Sequence, residues 1–190
     1  MPHPVGKKEE SRARILESAG RGFRSQGFGG LGVDGLAKEA GVTSGAFYAH
    51  FKSKAEAFRK AIAVGLDDLR IAIEHFRQAE GSSWRERFVA FYLGDRRTCD
   101  LAHSCALQSL SADVARSDGE TRKVYEAEFR RVLDAAASGL KGSAGRRRAD
   151  AIALLALLAG GVSIARAVEN SELGDEIADA VRDAADRLMR

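Results

Sequence analysis

The amino-acid sequence predicts an all-α protein of about nine helices, and two features of the 190-residue chain support this fold class. Apolar residues recur every three or four positions through most of the chain, which is the spacing of one face of an α-helix. The composition is 45% hydrophobic and 30% charged, with only 2 prolines, so few residues would interrupt a helix. A chain of this length can bury a substantial core as one or two domains.

The first helix is predicted from about Glu9 to Gln26, after an arm of residues 1–7 that is expected to be disordered. A glycine-rich segment, residues 27–30, would close this helix, because glycine is the residue most often found just after a helix end. The residues expected on its inward face are Ile15, Leu16, Ala19 and Phe23.

Residues 33–51 predict two short helices joined by a tight turn. Apolar and small residues at helical spacing between Val33 and Ala40 give the first of them one buried face. Gly41 is expected to end that helix, since glycine adopts positive φ without a Cβ clash, and Thr43 or Ser44 would cap the next one. Such a pair of helices forms a helix-turn-helix, whose second helix lies in the major groove of DNA.

The later helices are predicted from capping residues and from apolar periodicity. Ser53 with Glu56, and Ser83 with Glu86, have the spacing of capping boxes and would open two of these helices. The predicted spans are about 54–78, 84–93, 104–116, 117–140, 146–168 and 171–189, with a polar loop at about 94–103. The helix that begins near residue 54 would leave the DNA-binding domain and enter the second domain.

Positive charge is concentrated near the N-terminus. The whole chain carries a net charge of +3, whereas residues 1–54 contain nine Lys or Arg against five Asp or Glu. Because contact with the DNA backbone requires neutralisation of phosphates, this distribution favours DNA binding by the helix-turn-helix segment.

The TetR family of bacterial transcriptional regulators has a DNA-binding segment that closely resembles the sequence AGVTSGAFYAHFKSKAEAF in this chain. The shared features are the Gly-Val turn, the Phe47-Tyr48 pair, His50-Phe51, and the Ser53-x-x-Glu56 helix start after Lys52. The resemblance is TetR/AcrR-like and covers about residues 8–60. It implies an N-terminal three-helix helix-turn-helix DNA-binding domain, residues 1–54, followed by a helical ligand-binding and dimerisation domain, residues 55–190.

Candidate contacts to double-stranded DNA come from the second short helix and its flanks. Thr43, Ser44 and Ala46 would lie at the outward start of this helix, where side chains reach base edges. Tyr48 and His50 can reach phosphate oxygens, which fix register without specifying sequence. The complete predicted set is Gly32, Thr43, Ser44, Gly45, Ala46, Tyr48, His50 and Lys54, of which Gly45 is included because the resemblance implies it.

Two positions depart from the family pattern. Family members usually place Thr or Ser before the first short helix, whereas this chain has Leu31-Gly32, so only the Gly32 backbone N–H remains for a phosphate. Ser44 is shorter than the residue usual there, so Arg12, Arg24, Lys52 or DNA shape would supply more of the specificity. Structural alternatives stay open, since Thr43 or Ser44 is also a plain cap, His50 could be a surface histidine, and Tyr48 could pack on helix one.

The resemblance also implies that the second domain holds a small-molecule effector. A mostly apolar wall with a few polar groups is typical of a ligand pocket, and an ordinary packed core is the alternative. The candidate ligand-binding residues are Phe76, Trp84, Phe88, Tyr92, Cys105, Gln108, Tyr125 and Phe129.

Cys105 lies near the start of a predicted helix, where a thiol can become reactive. The segment HSCALQSLSADVA resembles the equivalent stretch of a TetR subgroup with electrophile-sensing members, so thiol modification is a second possible release signal. An inert buried cysteine is the alternative. Cys99, His103 and Cys105 could also be written as a metal site, but no fourth ligand is evident, and no metal or cofactor is predicted.

The last two predicted helices have features expected of a homodimer interface, and the family resemblance also implies a homodimer. The helix at 146–168 is apolar nearly all round, and Gly160, Gly161 and Ala165 would allow close approach of another helix. A central helix within a monomer is the alternative. The predicted interface residues are Leu154, Leu157, Leu158, Gly161, Ile164, Ile177, Val181 and Leu188.

Other functional classes find little support. The sequence shows no Ser-His-Asp order and no glycine-rich phosphate loop, so we do not expect an enzyme. Two cysteines and the lack of a visible signal peptide fit a cytoplasmic protein. The uncharged run 151–165 is shorter than the roughly 20 residues needed to span a bilayer, so no membrane partner is expected. A ligand-binding dimer without operator specificity remains as an alternative.

Overall fold

The computed structural model describes residues 4–188, apart from the side chains of residues 4, 5 and 7, and shows an all-α fold as predicted. The helices are α1 Pro4–Gly30, α2 Val33–Glu39, α3 Ser44–Tyr48, α4 Lys54–Glu80, α5 Trp84–Leu93, α6 Asp95–Thr98, α7 Ala106–Ala115, α8 Gly119–Ser138, α9 Ala144–Ala167 and α10 Ser171–Leu188. Short 3₁₀ turns occupy Gly81–Ser83 and Leu101–His103, and no β-strand occurs between residues 4 and 188.

The chain forms two compact units that are discontinuous in sequence. The N-terminal unit comprises Met1–Gly65 and Leu101–Tyr125, and the C-terminal unit comprises Leu66–Asp100 and Glu126–Arg190. Helices α4 and α8 each contribute residues to both units. The predicted boundary between residues 54 and 55 separates a DNA-binding domain from a ligand-binding and dimerisation domain. It does not describe compact units, and it stays a prediction.

Helix α1 is longer than the sequence suggested. It begins at Pro4, so residues 4–7 are not a disordered arm, and residues 1–3 of that predicted arm lie outside the described residues. Proline suits a helix start, because its fixed φ is helical and its missing N–H would have no partner there. Gly27, with φ 73° and ψ 172°, kinks the helix, which then continues to Gly30.

The N-terminal unit has an aromatic core beneath the helix-turn-helix. The Phe23 and Phe58 rings meet edge to face with centroids 5.0 Å apart, and Phe28 lies 4.8 Å from Phe58. Helix α1 also contacts α7, where the backbone N–H of Phe28 donates to Asp113 Oδ2 at 3.0 Å. The segment 101–125 therefore belongs to the same packed unit as the first three helices.

Helix starts follow the predicted capping residues at one site and not at another. Ser53 Oγ accepts a hydrogen bond from the backbone N–H of Glu56, which confirms Ser53 as the cap of α4, and the Glu56 carboxylate accepts from the N–H of Lys52, one residue earlier than in a standard capping box. Ser83 makes no such bond, because it belongs to the 3₁₀ turn that precedes α5, and the capping box predicted there is wrong.

The loop predicted at residues 94–103 contains short helical turns. Arg97 and Thr98 both donate backbone N–H bonds to the carbonyl of Gly94, and the Thr98 hydroxyl donates to the same carbonyl. These local bonds form α6 directly after α5. These turns were not predicted, because the segment is polar and each turn is too short to show the apolar periodicity of a helix.

The C-terminal unit is built on the packing of α9 against α10 and α5. Gly161 permits the close approach of α9 and α10, because a Cβ atom there would lie 2.6 Å from Val181 Cγ2. Leu154 and Leu158 are also fully buried within the chain. These four residues were predicted to form a dimer interface, and their burial leaves them unable to contact a second subunit directly.

Helix α9 also has the length and composition of a membrane-crossing helix. Core helices of soluble proteins pass the same test, so this property is weak evidence for a membrane. Here α9 packs on α5 and α10 and begins with three consecutive arginines, Arg146 to Arg148.

Candidate nucleic-acid interface

Helices α2 and α3 form the predicted helix-turn-helix. Gly41 adopts φ 67°, and the N–H of Val42 donates to the carbonyl of Ala37 at 2.9 Å, which closes α2 as expected for a glycine stop. Thr43 is the cap of α3, since its Oγ1 accepts from the N–H of Ala46 at 3.2 Å. The turn is thus fixed by one glycine and one side-chain cap.

The residues proposed for base contacts lie together at the start of α3. Thr43 and Gly45 are exposed, while Ser44 and Ala46 are half-buried. The Ser44 hydroxyl does not cap the helix but bonds to Asp34 Oδ1, 2.5 Å away on α2. Asp34 is absent from the predicted site residues, because its only signal in the sequence is an acidic residue in the first turn of α2.

Tyr48 follows the buried anchor of α3. Phe47 is fully buried, whereas Tyr48 is 56% exposed with its ring edge-on to that of Phe47. Most of the Tyr48 side chain is therefore open to solvent, and its contact with DNA stays a prediction. A hydroxyl on such a ring can donate to a phosphate oxygen.

Two cations that flank α3 lie over aromatic rings, whereas the other flanking residues are less constrained. Lys54 Nζ lies 4.6 Å from the Phe28 ring centroid, and the Arg12 guanidinium lies 5.2 Å from that of Phe51, so both cations are steered by aromatic faces. The His50 ring is half-buried, and its Nδ1 has no hydrogen-bond partner among the described residues. Gly32 is the N-cap residue of α2. Its backbone is extended, and as a glycine it provides no side-chain cap.

The predicted ligand-binding residues divide between the two units. Five of them, the aromatic residues Phe76, Trp84, Phe88, Tyr92 and Phe129, belong to the C-terminal unit. Trp84, Phe88 and Tyr92 are buried there, and the Phe88 ring lies 5.8 Å from Phe76 and 5.7 Å from Tyr92. This cluster is a packed aromatic core.

The polar members of the predicted set lie in the N-terminal unit. Cys105 is buried at the start of α7, and the Gln108 Oε1 atom is buried with no hydrogen-bond partner among the described residues. The Ser111 hydroxyl donates to the carbonyl of Leu107, so the Tyr125 hydroxyl, 2.8 Å away, is the donor to Ser111. An unpaired buried acceptor such as Gln108 Oε1 is costly unless an ordered water or a ligand donates to it.

Tyr125 should make the protein less stable in strong alkali. Burial raises the pKa of its phenol above the ordinary value, against the opposing effect of the Ser111 hydrogen bond. The folded state therefore keeps a proton that the unfolded state releases, and stability should fall once pH rises above about 10. Urea unfolding of the wild type and Tyr125→Phe from about pH 8 to about pH 11 measures this effect. An equal loss of stability in both proteins over that range would contradict it.

A cleft of about 480 Å³ opens in the C-terminal unit. Its lining is largely polar, and Trp84 is the one predicted ligand-binding residue that reaches it; the lining residues are Glu74, Arg77, Gln78, Gly81, Trp84 and Gly139. The Trp84 indole N–H is already bonded to the carbonyl of Gly139. In the part of the chain that the structure describes, no group of three or more His, Cys, Asp or Glu side chains is arranged to hold a metal ion.

Comparison with known proteins agrees with this geometry. Residues 15–61 match the family model described as bacterial regulatory proteins, tetR family. The HTH-type transcriptional regulator TtgR of Pseudomonas putida is 38% identical over 74 residues, which cover 39% of this chain and 33% of TtgR. AcrR of Shigella flexneri, also an HTH-type transcriptional regulator, is 46% identical over 50 residues, 26% of this chain and 23% of AcrR. The similar segment thus spans about a third or less of these curated relatives.

Solved structures share the fold over nearly the whole chain. The reduced form of NemR from E. coli superposes with a TM-score of 0.73 at 20% identity, covering 92% of this chain and 96% of NemR. A TetR-family transcriptional regulator from Agrobacterium tumefaciens gives 0.76 at 16% identity, covering 93% and 98%. At these identities the similarity establishes the fold.

Proposed function

This chain belongs to the tetR family of bacterial regulatory proteins through its residues 15–61, and on that premise we propose that it is a DNA-binding transcriptional repressor. It acts as a cytoplasmic homodimer on a palindromic operator, and a small-molecule effector releases it. The observation that carries the proposal is the exposed outer surface of a well-formed helix-turn-helix, with Thr43, Gly45 and Tyr48 facing outward. The membership is in a family of regulators, so an enzymatic role has no support.

Dimerisation would use the exposed face of α9. Ile152 and Ile164, 43% and 58% exposed, are joined along this face by the exposed residues Ala156 and Gly160, with Leu157 half-buried beside them. Small residues between two branched apolar ones suit the crossing of a helix with its own copy about a two-fold axis. Ile177 and Leu188 of α10 are half-buried and would flank this contact.

A symmetric dimer presents two copies of α3, which must reach successive major grooves about 34–36 Å apart. An effector that favours a different spacing weakens binding, because the second half-site then no longer benefits from tethering to the first. Within the N-terminal unit, α1 is bonded to the segment 101–125 through Phe28 with Asp113 and through Arg24 with the carbonyl of Ala102. These bonds, together with the predicted route along α4, support transmission from effector to DNA.

The effector is best described as a non-covalent ligand. Cys105 is buried, which disfavours thiol modification as the release signal and fits the alternative of an inert cysteine. The unpaired Gln108 Oε1 favours a ligand that carries an N–H or O–H donor.

A mobility-shift experiment against the promoter region of its own gene tests the proposal. We expect one specific site at low salt, and a loss of affinity of about a hundredfold between 50 and 200 mM salt if four phosphates are neutralised. Non-specific duplex of equal length is the control. Absence of a specific site, or affinity that does not depend on salt, would favour the ligand-binding dimer without operator specificity.

A further inference from the structure

Asp34 places a carboxylate on the surface that the proposed function assigns to DNA. It is exposed in the first turn of α2, and its Oδ1 lies 2.5 Å from Ser44 Oγ at the start of α3. No Lys, Arg or His pairs with it among the side chains that the structure describes. An unpaired negative charge is unfavourable beside phosphates, so Asp34 calls for a partner on the DNA that donates hydrogen bonds.

The hydrogens of this pair can be assigned. An ionised carboxylate only accepts, so the Ser44 hydroxyl donates its single hydrogen to Asp34. What Ser44 and Asp34 then offer outward is a set of oxygen lone pairs without a hydrogen. Thr43 is the opposite case, because its Oγ1 accepts from the N–H of Ala46 and its own hydrogen remains free to donate.

Only some bases can satisfy a group that accepts and does not donate. In the major groove, cytosine offers its N4 amino group and adenine its N6 amino group, whereas guanine O6 and thymine O4 are themselves acceptors. In adenine the acceptor N7 lies beside the amino group. N7 would then face the second oxygen of the Asp34–Ser44 pair, which is also an acceptor. Cytosine carries no acceptor at its major-groove edge, so it is the base that fits best.

We propose that Asp34 and Ser44 together select cytosine at one position of each operator half-site. Gly45 and Ala46, the next residues of α3, have no long side chain that would keep a base edge away. The inference rests on the proposed DNA binding and adds to it the chemistry of one base contact.

Selection from duplexes with randomised half-sites, followed by competition with single-base substitutions, tests this inference on the full-length protein. We expect the wild type to favour cytosine over guanine and thymine at one position by about tenfold. Asp34→Asn is the decisive variant, since its amide oxygen can still accept from Ser44 while its NH₂ group now donates to purine acceptors. It should bind DNA yet lose the cytosine preference, to about twofold or less.

A merely structural role predicts a different pattern. If the Ser44–Asp34 bond only ties α2 to α3, Asp34→Asn and Asp34→Ala should select the same half-site as the wild type, and that result would overturn the inference. If Asp34→Ala also selects the wild-type half-site but melts at a lower temperature, the only role of the Ser44–Asp34 bond is to join α2 to α3. If the wild type enriches no duplex at all, the proposed function itself fails, and the inference with it.

Discussion

Replacing Ile164 with aspartate should turn the proposed dimer into a monomer and lower operator affinity by about a hundredfold or more. Ile164 is the most exposed of the large apolar side chains on α9, at 58%, and lies on the face proposed for two-fold packing. The aspartate would place a charged carboxylate in the apolar contact of each subunit, and the cost of its desolvation would oppose association. Each monomer would then engage one half-site without the benefit of the other.

Sedimentation equilibrium and a mobility shift on the same sample measure both effects. Ile71→Asp is a matched control, because Ile71 is 50% exposed on α4 and lies outside the proposed interface. It should remain dimeric and keep its affinity for DNA. An Ile164→Asp protein that stays dimeric would place the interface elsewhere.

Phe47→Ala should abolish specific DNA binding and lower the free energy of unfolding by about 3–5 kcal/mol. Phe47 is fully buried, and its ring centroid lies 5.5 Å from that of Phe51, so it holds α3 on the rest of the N-terminal unit. Loss of the ring leaves a cavity beneath a helix of only five residues, which has little stability of its own.

Tyr48→Ala is the control that the neighbouring position provides. Tyr48 is largely exposed, so its removal should leave the unfolding midpoint almost unchanged and reduce DNA affinity through a lost phosphate contact. Chemical denaturation and a mobility shift on the two variants separate folding from recognition. Equal stability losses in both would show that Tyr48 packs in the core in solution.

Local signals made the helix-turn-helix predictable from the sequence. Gly41 at positive φ and Thr43 as a cap each act within a few residues, and both stand where the pattern placed them. The Asp34 contact was not predictable, because it joins residues ten positions apart whose meeting depends on how α2 crosses α3. The apolar periodicity of a sequence describes one helix at a time and carries no information on how two helices cross.

The dimer prediction shows a second limit of sequence patterns. Helix α9 is apolar nearly all round, so its pattern could not separate the face packed on α10 from the face left outside. Leu154 and Leu158 lie on the inner face, whereas Ile164 lies on the outer one. Only the position of the neighbouring helices distinguishes them, and the same holds for Phe88 and Tyr92, which were assigned to a pocket and are fully buried in the aromatic cluster.

The bond between the Phe28 amide and Asp113 bears on how this protein can be dissected. Gly65 approaches Ala106 so closely that a Cβ atom there would lie 2.5 Å from the alanine methyl, and these contacts join residues 1–65 to 101–125. An excised fragment ending at Gly65 would carry the whole recognition element but leave apolar surface bare to water. Residues 1–65 are thus not expected to fold independently. A chimaera that joins them to a different ligand-binding domain should therefore also include the segment from Leu101 to Tyr125.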